Sequence, residues 1–533
     1  MISTIQILVL LLIVQAGVAV IASRLRIPSA ILLVLAGAFL AIIPGLPAVE
    51  LDPELVLLLV LPPILYTSAV SMSWSEFRFN LRPITLLAFG CVVFTTLAVA
   101  AAAHWLLGLE WPVAFVLGAI VSPPDAVAPL AIARRLQIPR RILVVLEGEG
   151  LVNDATALIL YRFAVAAVSV GVFSFGEAAG LFAIIVAGEI VWGIGVGWLM
   201  LRLRRWVGSP PIEIMLSVLT PFLAYWPAEY LGGSGVLATV TAGLYISWNG
   251  PRLISAATRL QGVFFWNFFI FLIEGMVFLI TGLQARTLLS RIELYPLSGL
   301  LISAVVISLV VIVSRFIWMF PATYLPRWLF PPIRRKDPSP PWQRPFVLAF
   351  TGVRGIVSLA AALAIPFATV SGQPFPDRDL ILFITFCVIL VTLVGQGLLL
   401  PTVIRALGLA HAGNRERRDD RVQEQEARRS AIELVIARLE QLASDRGLSD
   451  KIGEPLRLHH VDRLRRSKHQ SDGDDHPKRT EAYDGIEFLL IAAERDHINE
   501  LFREGKLKDE ARRRIERELD LREADLRNQL MEE

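Results

Sequence analysis

Two neighbouring stretches of this 533-residue sequence place ionisable groups where an apolar environment resists them. In GAIVSPPDAVAPLAI, residues 118–132, Ser122 precedes two helix-breaking prolines, Pro123 and Pro124, and Asp125 then sets a carboxylate in the middle of an apolar run. The next run opens LEGEGLVNDATALILYRFA and gathers Glu147, Glu149, Asn153 and Asp154. On a helix Glu149 and Asn153, four apart, share a face, while Asp154 is rotated by about 100°. Carboxylates this close inside apolar surroundings must be paired, hydrated or protonated. That suits them to exchange: a buried Asp can release its proton when a cation arrives and take it back when the cation leaves. After Pro124 the helix can restart with Asp125 at or near its cap, accepting from free backbone N–H groups. The preceding half ends at Val121 and Ser122, whose carbonyl oxygens are expected to be free to face a cation.

Breaks and charges of this kind are tolerated at membrane depth only where protein or water surrounds them, so the surrounding elements matter. With 55% hydrophobic residues, 19% charged and a mean hydropathy of +0.59, the chain reads as an all-α polytopic membrane protein. Thirteen apolar runs are long enough to cross a bilayer, near residues 3–22, 28–44, 52–71, 83–108, 112–133, 142–173, 177–201, 211–230, 233–248, 262–284, 295–325, 345–370 and 379–407. Clusters of arginine follow the odd-numbered runs, among them Arg134/Arg135/Arg140/Arg141 and Arg327/Arg334/Arg335, whereas the loops after even-numbered runs carry few. The positive-inside rule therefore places the N-terminus outside and the C-terminal tail in the cytoplasm.

Thirteen runs divide as six, a linker and six, and the odd linker inverts the second set relative to the first. The fifth run of each set is interrupted: 112–133 by the prolines, and 345–370 by FTGVRGIVS, with Arg354 between Gly352 and Gly355. Interrupted helices at corresponding positions of two inverted halves point to a transporter binding site. Arg354, whose guanidinium stays charged, is the natural counter-ion for one of the acids, holding the halves together. Secondary candidates are Glu274 in FLIEGMVFLITGL, which sits mid-run and needs a buried partner, and Glu229 in WPAEYLGGSGVLATVTAG, read as a hydrated residue near a membrane interface. Arg162 is expected to snorkel or to pair with an acid that the sequence does not identify.

Over residues 1–410 the chain resembles the monovalent cation:proton antiporter-1 family, bacterial sodium/proton antiporters related to animal sodium/hydrogen exchangers. LPPILYTSA, SPPDAVA, EGEGLVNDATAL, SGVLATVTAGL, EGMVFLITGL and GVRGIVSLA occur in family order. The resemblance implies two inverted six-helix repeats with crossed broken helices and a cation and proton site at Asp125, Asn153 and Asp154. It also implies an ion pair between Glu149 and Arg354, a homodimer in the inner membrane and an elevator-like motion. No cofactor is implied beyond the transported Na+ or K+ and H+. The sequence departs from the family pattern at three places. Pro124 stands where a Thr is common and offers only its carbonyl, Gly150 replaces a Ser, and Thr67 stands where several relatives place an acid.

Residues 411–533 form a second, cytoplasmic helical domain dense in Arg, Glu and Asp, with six of the seven histidines and a net charge of −4 against +7 for the rest. Its helical stretches RRSAIELVIARLEQLASD and DGIEFLLIAAERDHINELFREG flank a polar linker, HQSDGDDHPKRTE. They read as solvated helices that pack together, with His459 and His460 as candidate pH sensors. Cys91 and Cys387 both lie in apolar runs, which excludes a disulfide framework. The basic residues sit in short loops, so nucleic acid is not an implied partner. No nucleophile and base pair stands out, against an enzyme, and no carbonyl-rich filter, against a channel. The expected function is electroneutral exchange of Na+ for H+, with K+/H+ exchange as the alternative and a non-transporting membrane sensor behind it.

Overall fold

The computed structural model describes residues 4–43, 52–170, 175–250, 253–291, 296–370 and 372–446, and in the C-terminal stretch 454–461, 464, 489–498, 500–501, 504, 515 and 518–524. Among these residues the chain is helical, with one isolated bridge between Ala368 and Pro374 in place of a sheet. The helices are α1 (Thr4–Leu25), α2 (Ser29–Ile42), α3 (Pro53–Ser71), α4 (Leu81–Leu107), α5 (Trp111–Val121), α6 (Val127–Arg135), α7 (Arg140–Val170) and α8 (Phe175–Val207). They continue as α9 (Pro210–Tyr230), α10 (Val236–Asn249), α11 (Ala256–Arg291), α12 (Leu297–Leu329), α13 (Gln343–Phe350), α14 (Ile356–Leu363), α15 (Arg378–Ala406) and α16 (Leu409–Arg446). Short helices at Trp74–Phe79 and Pro331–Lys336 lie in the connections before α4 and after α12.

Each apolar run of the sequence holds helix, because backbone groups that meet no water must bond within their own segment. Eight described helices are long and apolar enough to cross a membrane, and α2 and α5 are shorter apolar ones. Their ends follow local chemistry. The side chain of Asp52 accepts from the Glu54 N–H at 2.9 Å where α3 opens on Pro53, and Gly108, with φ of 76°, closes α4 in the left-handed conformation.

Outward faces are apolar: Ile13, Ile184 and Val305 are each more than 60% exposed, as expected of side chains that face lipid. Inward faces carry the polar groups, where small residues let backbones approach. A Cβ on Gly37 would lie 2.1 Å from the Leu279 carbonyl oxygen, and one on Gly282 2.2 Å from that of Val34, so α2 and α11 pack backbone to backbone. The buried side chain of Gln15 donates to the Phe271 carbonyl at 2.9 Å and ties α1 to the same helix.

The chain forms two compact units, Met1–Asn414 and Arg415–Glu533. In the second, α16 runs on to Arg446 with an Arg429–Glu433 pair one turn apart at 3.0 Å. Arg495 bridges Asp520 and Glu523, each at 2.8 Å, beside buried Ile491 and Leu519. The predicted polar linker HQSDGDDHPKRTE lies outside the described residues.

Candidate functional site

Both predicted interruptions are present, and they meet. Helix α5 stops at Val121, Ser122 to Ala126 are not helical, and α6 starts at Val127; α13 stops at Phe350 and α14 starts at Ile356. Across the contact the Asp125 N–H donates to the Val353 carbonyl at 2.7 Å, and Arg354 Nε donates to the Val121 carbonyl at 2.7 Å. Each break thus supplies a donor to a carbonyl that the other break has freed, which is how irregular backbone is satisfied away from water. The Val121 oxygen, expected to be open to a cation, is engaged by Arg354 instead.

Asp125 stands one residue before the N-cap Ala126 of α6, its Oδ1 accepting from the Val127 N–H at 2.9 Å. Its other oxygen, Oδ2, lies against Gly355, where an added Cβ would come within 1.7 Å of it. Buried Asn153 donates from Nδ2 to the Pro124 carbonyl at 2.6 Å, fixing α7 to the first break and occupying the oxygen that Pro124 retains. A carbonyl can only accept, so the amide nitrogen must face Pro124 and the amide oxygen must point away. That oxygen, Asn153 Oδ1, is buried and has no hydrogen-bond partner. Asp154 follows it in α7 and is 9% exposed. Around the first break the chain thus carries two carboxylates, Asp125 and Asp154, and the unpartnered amide oxygen of Asn153.

Glu149 does not pair with Arg354. Its two oxygens receive Arg315 Nη1 at 2.5 Å and Nη2 at 2.8 Å, in a forked arrangement with both side chains 2% exposed. Arg315 Nε donates to the Leu348 carbonyl at 3.1 Å, so α12 joins α7 to the end of α13. Arg354 is also buried but serves backbone: besides Val121 it donates to the Gly352 carbonyl, and its own N–H donates to Thr392 Oγ1 at 2.9 Å. The correction has a simple cause. An arginine inside a break is surrounded by freed carbonyls, and Glu149, one turn before Asn153, faces α12.

A family model described as sodium/hydrogen exchanger, transmembrane, matches residues 8–406. The chain belongs to the sodium/hydrogen exchanger family. It is 42% identical over 390 residues to an uncharacterized Na+/H+ exchanger of Mycobacterium tuberculosis, covering 72% of this chain and 71% of that one. It is 32% identical to the Na+/H+ antiporter ApNhaP of Aphanothece halophytica, over 90% and 89% of the two chains. It is 35% identical to a sodium, potassium, lithium and rubidium/H+ antiporter of Bacillus subtilis, over 70% of this chain but only 57% of that one. The sodium proton antiporter MjNhaP1 of Methanocaldococcus jannaschii shares the fold with a TM-score of 0.59 at 21% identity, over 76% of this chain and 98% of that one. This exchanger is accordingly a multi-pass membrane cation/proton antiporter and not an enzyme.

The secondary candidates separate. Glu274 is a half-buried acid of α11. Thr67 donates to the Pro63 carbonyl of its own helix at 2.8 Å, and no described contact links it to the carboxylates. Glu229 is not simply hydrated: it pairs with Arg162, which also donates to the Gly233 carbonyl. The acid that the sequence left unidentified for Arg162 is Glu229. Glu147 pairs with Arg134 at 2.5 Å on a more exposed face.

Three buried polar residues that tie helices together escaped sequence reasoning. Arg315 had a visible signal, a lone arginine in the apolar run LLISAVVISLVVIVSRFIWMF, which membrane energetics marks for attention. Glu189 is 4% exposed and accepts from the Ser234 N–H at 2.6 Å and the Leu237 N–H at 3.2 Å at the start of α10. It too was an acid in an apolar run. Thr392 had no signal, since a threonine that bonds to its own helix is ordinary in a membrane span.

Gly355 carries a direct test of the contact between breaks. Gly355→Ala should displace Asp125 from the second break and reduce exchange severely, because the new methyl and the carboxylate cannot both keep their places. A control substitution at Gly17, where a Cβ meets nothing within 4 Å, should leave exchange near wild type. Ion-driven pH change in proteoliposomes made with each variant measures the difference.

Proposed function

We propose that the protein exchanges Na+ for H+ one for one, with Asp154 as the group that alternates between cation and proton. Asp125 and Asn153 complete the site. The observation that carries the reading is the orphaned, buried Asn153 Oδ1, on a side chain whose amide nitrogen is bound to the Pro124 carbonyl of the first break, next in sequence to Asp125. The cation stabilises ionised Asp154, and protonation abolishes that attraction, so the two ligands compete for one place. Thirteen spans in two inverted six-helix repeats, an outside N-terminus, a cytoplasmic tail from about residue 411, a homodimer in the inner membrane and an elevator-type motion complete the proposal.

Reconstitution of the purified protein tests it: lumenal pH should respond to added Na+ and not to choline. K+ is the second reading, favoured by the likeness to the Bacillus subtilis sodium, potassium, lithium and rubidium/H+ antiporter. Adding K+ and Li+ in separate runs separates the two, since a K+ response as large as that to Na+ would replace Na+ selectivity by a broader one.

Stoichiometry follows from residue types. If Asp154 carries a cation one way and a proton the other while Asp125 keeps a fixed protonation state, the moving site bears the same charge on both journeys. Asn153 can orient ligands but cannot ionise, so it adds no second proton. Membrane potential acts on a net charge with about 2.3 kcal/mol per 100 mV. With the potential clamped by valinomycin at 0 and about −100 mV, the final Na+-driven pH gradient should be the same. A gradient that changes with potential would mean that Asp125 or Glu274 also carries a proton.

A further inference from the structure

A cavity of about 60 Å³ opens between the starts of α4, α7 and α13 and the end of α12. Arg82, Arg141, Arg327 and Arg344 line it, and no acidic residue does. The remaining wall is largely apolar, with Val145, Met319 and Leu348 among it. Just outside the lining, Asp337 holds three of the four guanidinium groups: Arg82 at 2.5 Å, Arg327 at 2.7 Å and Arg141 at 2.8 Å. Burial raises the Asp337 carboxyl, but hydrogen bonding and charge from Arg141, with the charges of Arg327 and Arg82, outweigh it and hold the group below its ordinary value. It therefore stays ionised, yet one carboxylate against four arginines leaves three positive charges around an apolar-floored cavity.

We propose that this cavity binds a phosphoryl anion, supplied by the headgroup of an anionic phospholipid or by soluble phosphate. Guanidinium forks match phosphate oxygens two at a time, and basic pockets at the ends of membrane helices suit lipid headgroups. The apolar wall would take the glycerol and the first methylenes of a lipid. The four arginines on these helix termini repel one another, and such an anion would join them as Asp337 already joins three of them. The position also reaches the site: Leu348 lines the cavity, and its carbonyl accepts from Arg315, the partner of Glu149. An occupant braces α13, the first half of the second broken segment, against α4 and α7.

Arg344 is the residue to change, because it lines the cavity without holding Asp337. Binding to the purified full-length protein is followed by native mass spectrometry and by thermal melting, which need no transport activity and so stand apart from the exchange assay. Phosphatidylglycerol, phosphatidylcholine and inorganic phosphate are added separately at constant ionic strength. We expect phosphatidylglycerol to bind and raise the melting temperature and phosphatidylcholine to do neither. Arg344→Gln should weaken the binding about fivefold, and Arg344→Lys, which keeps the charge but loses the fork, by less. An Arg344-dependent response to inorganic phosphate would support the same site with a soluble ligand. Equal binding of phosphatidylglycerol to wild type and to both variants, or no binding of either anion, would overturn the proposal.

Discussion

Asp154→Asn is expected to bring Na+-driven proton movement in proteoliposomes down to that of empty vesicles, with the protein still folded. The substitution keeps the size and the acceptor oxygen of the side chain but removes its capacity to ionise. Asp154 is only 9% exposed, on the turn that Asn153 anchors to the Pro124 carbonyl, so the neutral amide can keep its place. A cation that reached the site would find one carboxylate fewer, and no proton could leave in exchange. Asp125→Asn should also fail, for a different reason: its amide oxygen can still accept from the Val127 N–H, but the site loses a carboxylate and an NH2 group replaces the Oδ2 that lies against Gly355. Melting curves separate the two, with Asp154→Asn staying near wild type and Asp125→Asn falling below it. Normal sodium-driven flux through Asp154→Asn would end the proposed mechanism.

The second large effect is on stability. Removing either partner of the Glu149–Arg315 pair should cost about 3–5 kcal/mol, because the other charge is left buried without compensation. The forked geometry and near-complete burial put this pair well beyond the surface pairs that contribute little. Replacing both at once, as in Glu149→Leu with Arg315→Met, should recover much of the loss, since two apolar side chains leave no stranded charge. Arg354 supplies the contrast. Arg354→Gln removes bonds to the Val121 and Gly352 carbonyls and leaves Glu149 paired, so it should not be rescued by a change at Glu149. A double-mutant cycle with thermal melts reads the coupling directly. Coupling of Glu149 to Arg354 that exceeds its coupling to Arg315 would reverse the assignment.

By itself the sequence determined where the helices lie and where two of them break. Both follow from local rules: a chain in lipid must satisfy its backbone within each segment, so an apolar run becomes helix, and Pro123–Pro124 or Gly352 and Gly355 interrupt it wherever it packs. It also marked Asp125, Asn153 and Asp154, because charge in an apolar run is conspicuous without coordinates. Tertiary structure decided who partners whom. Glu149 pairs with Arg315, 166 positions away, and Arg162 with Glu229. The oxygens of Val121 and Pro124, free by sequence, are taken by Arg354 and Asn153. An ion pair acts over a few ångströms, and which arginine comes that close depends on the crossing points of helices and on backbone groups competing for the same guanidinium. Neither quantity is written in the order of residues, so Arg354, the nearest candidate by motif, went to carbonyls, and an arginine in an otherwise unremarked helix took the carboxylate.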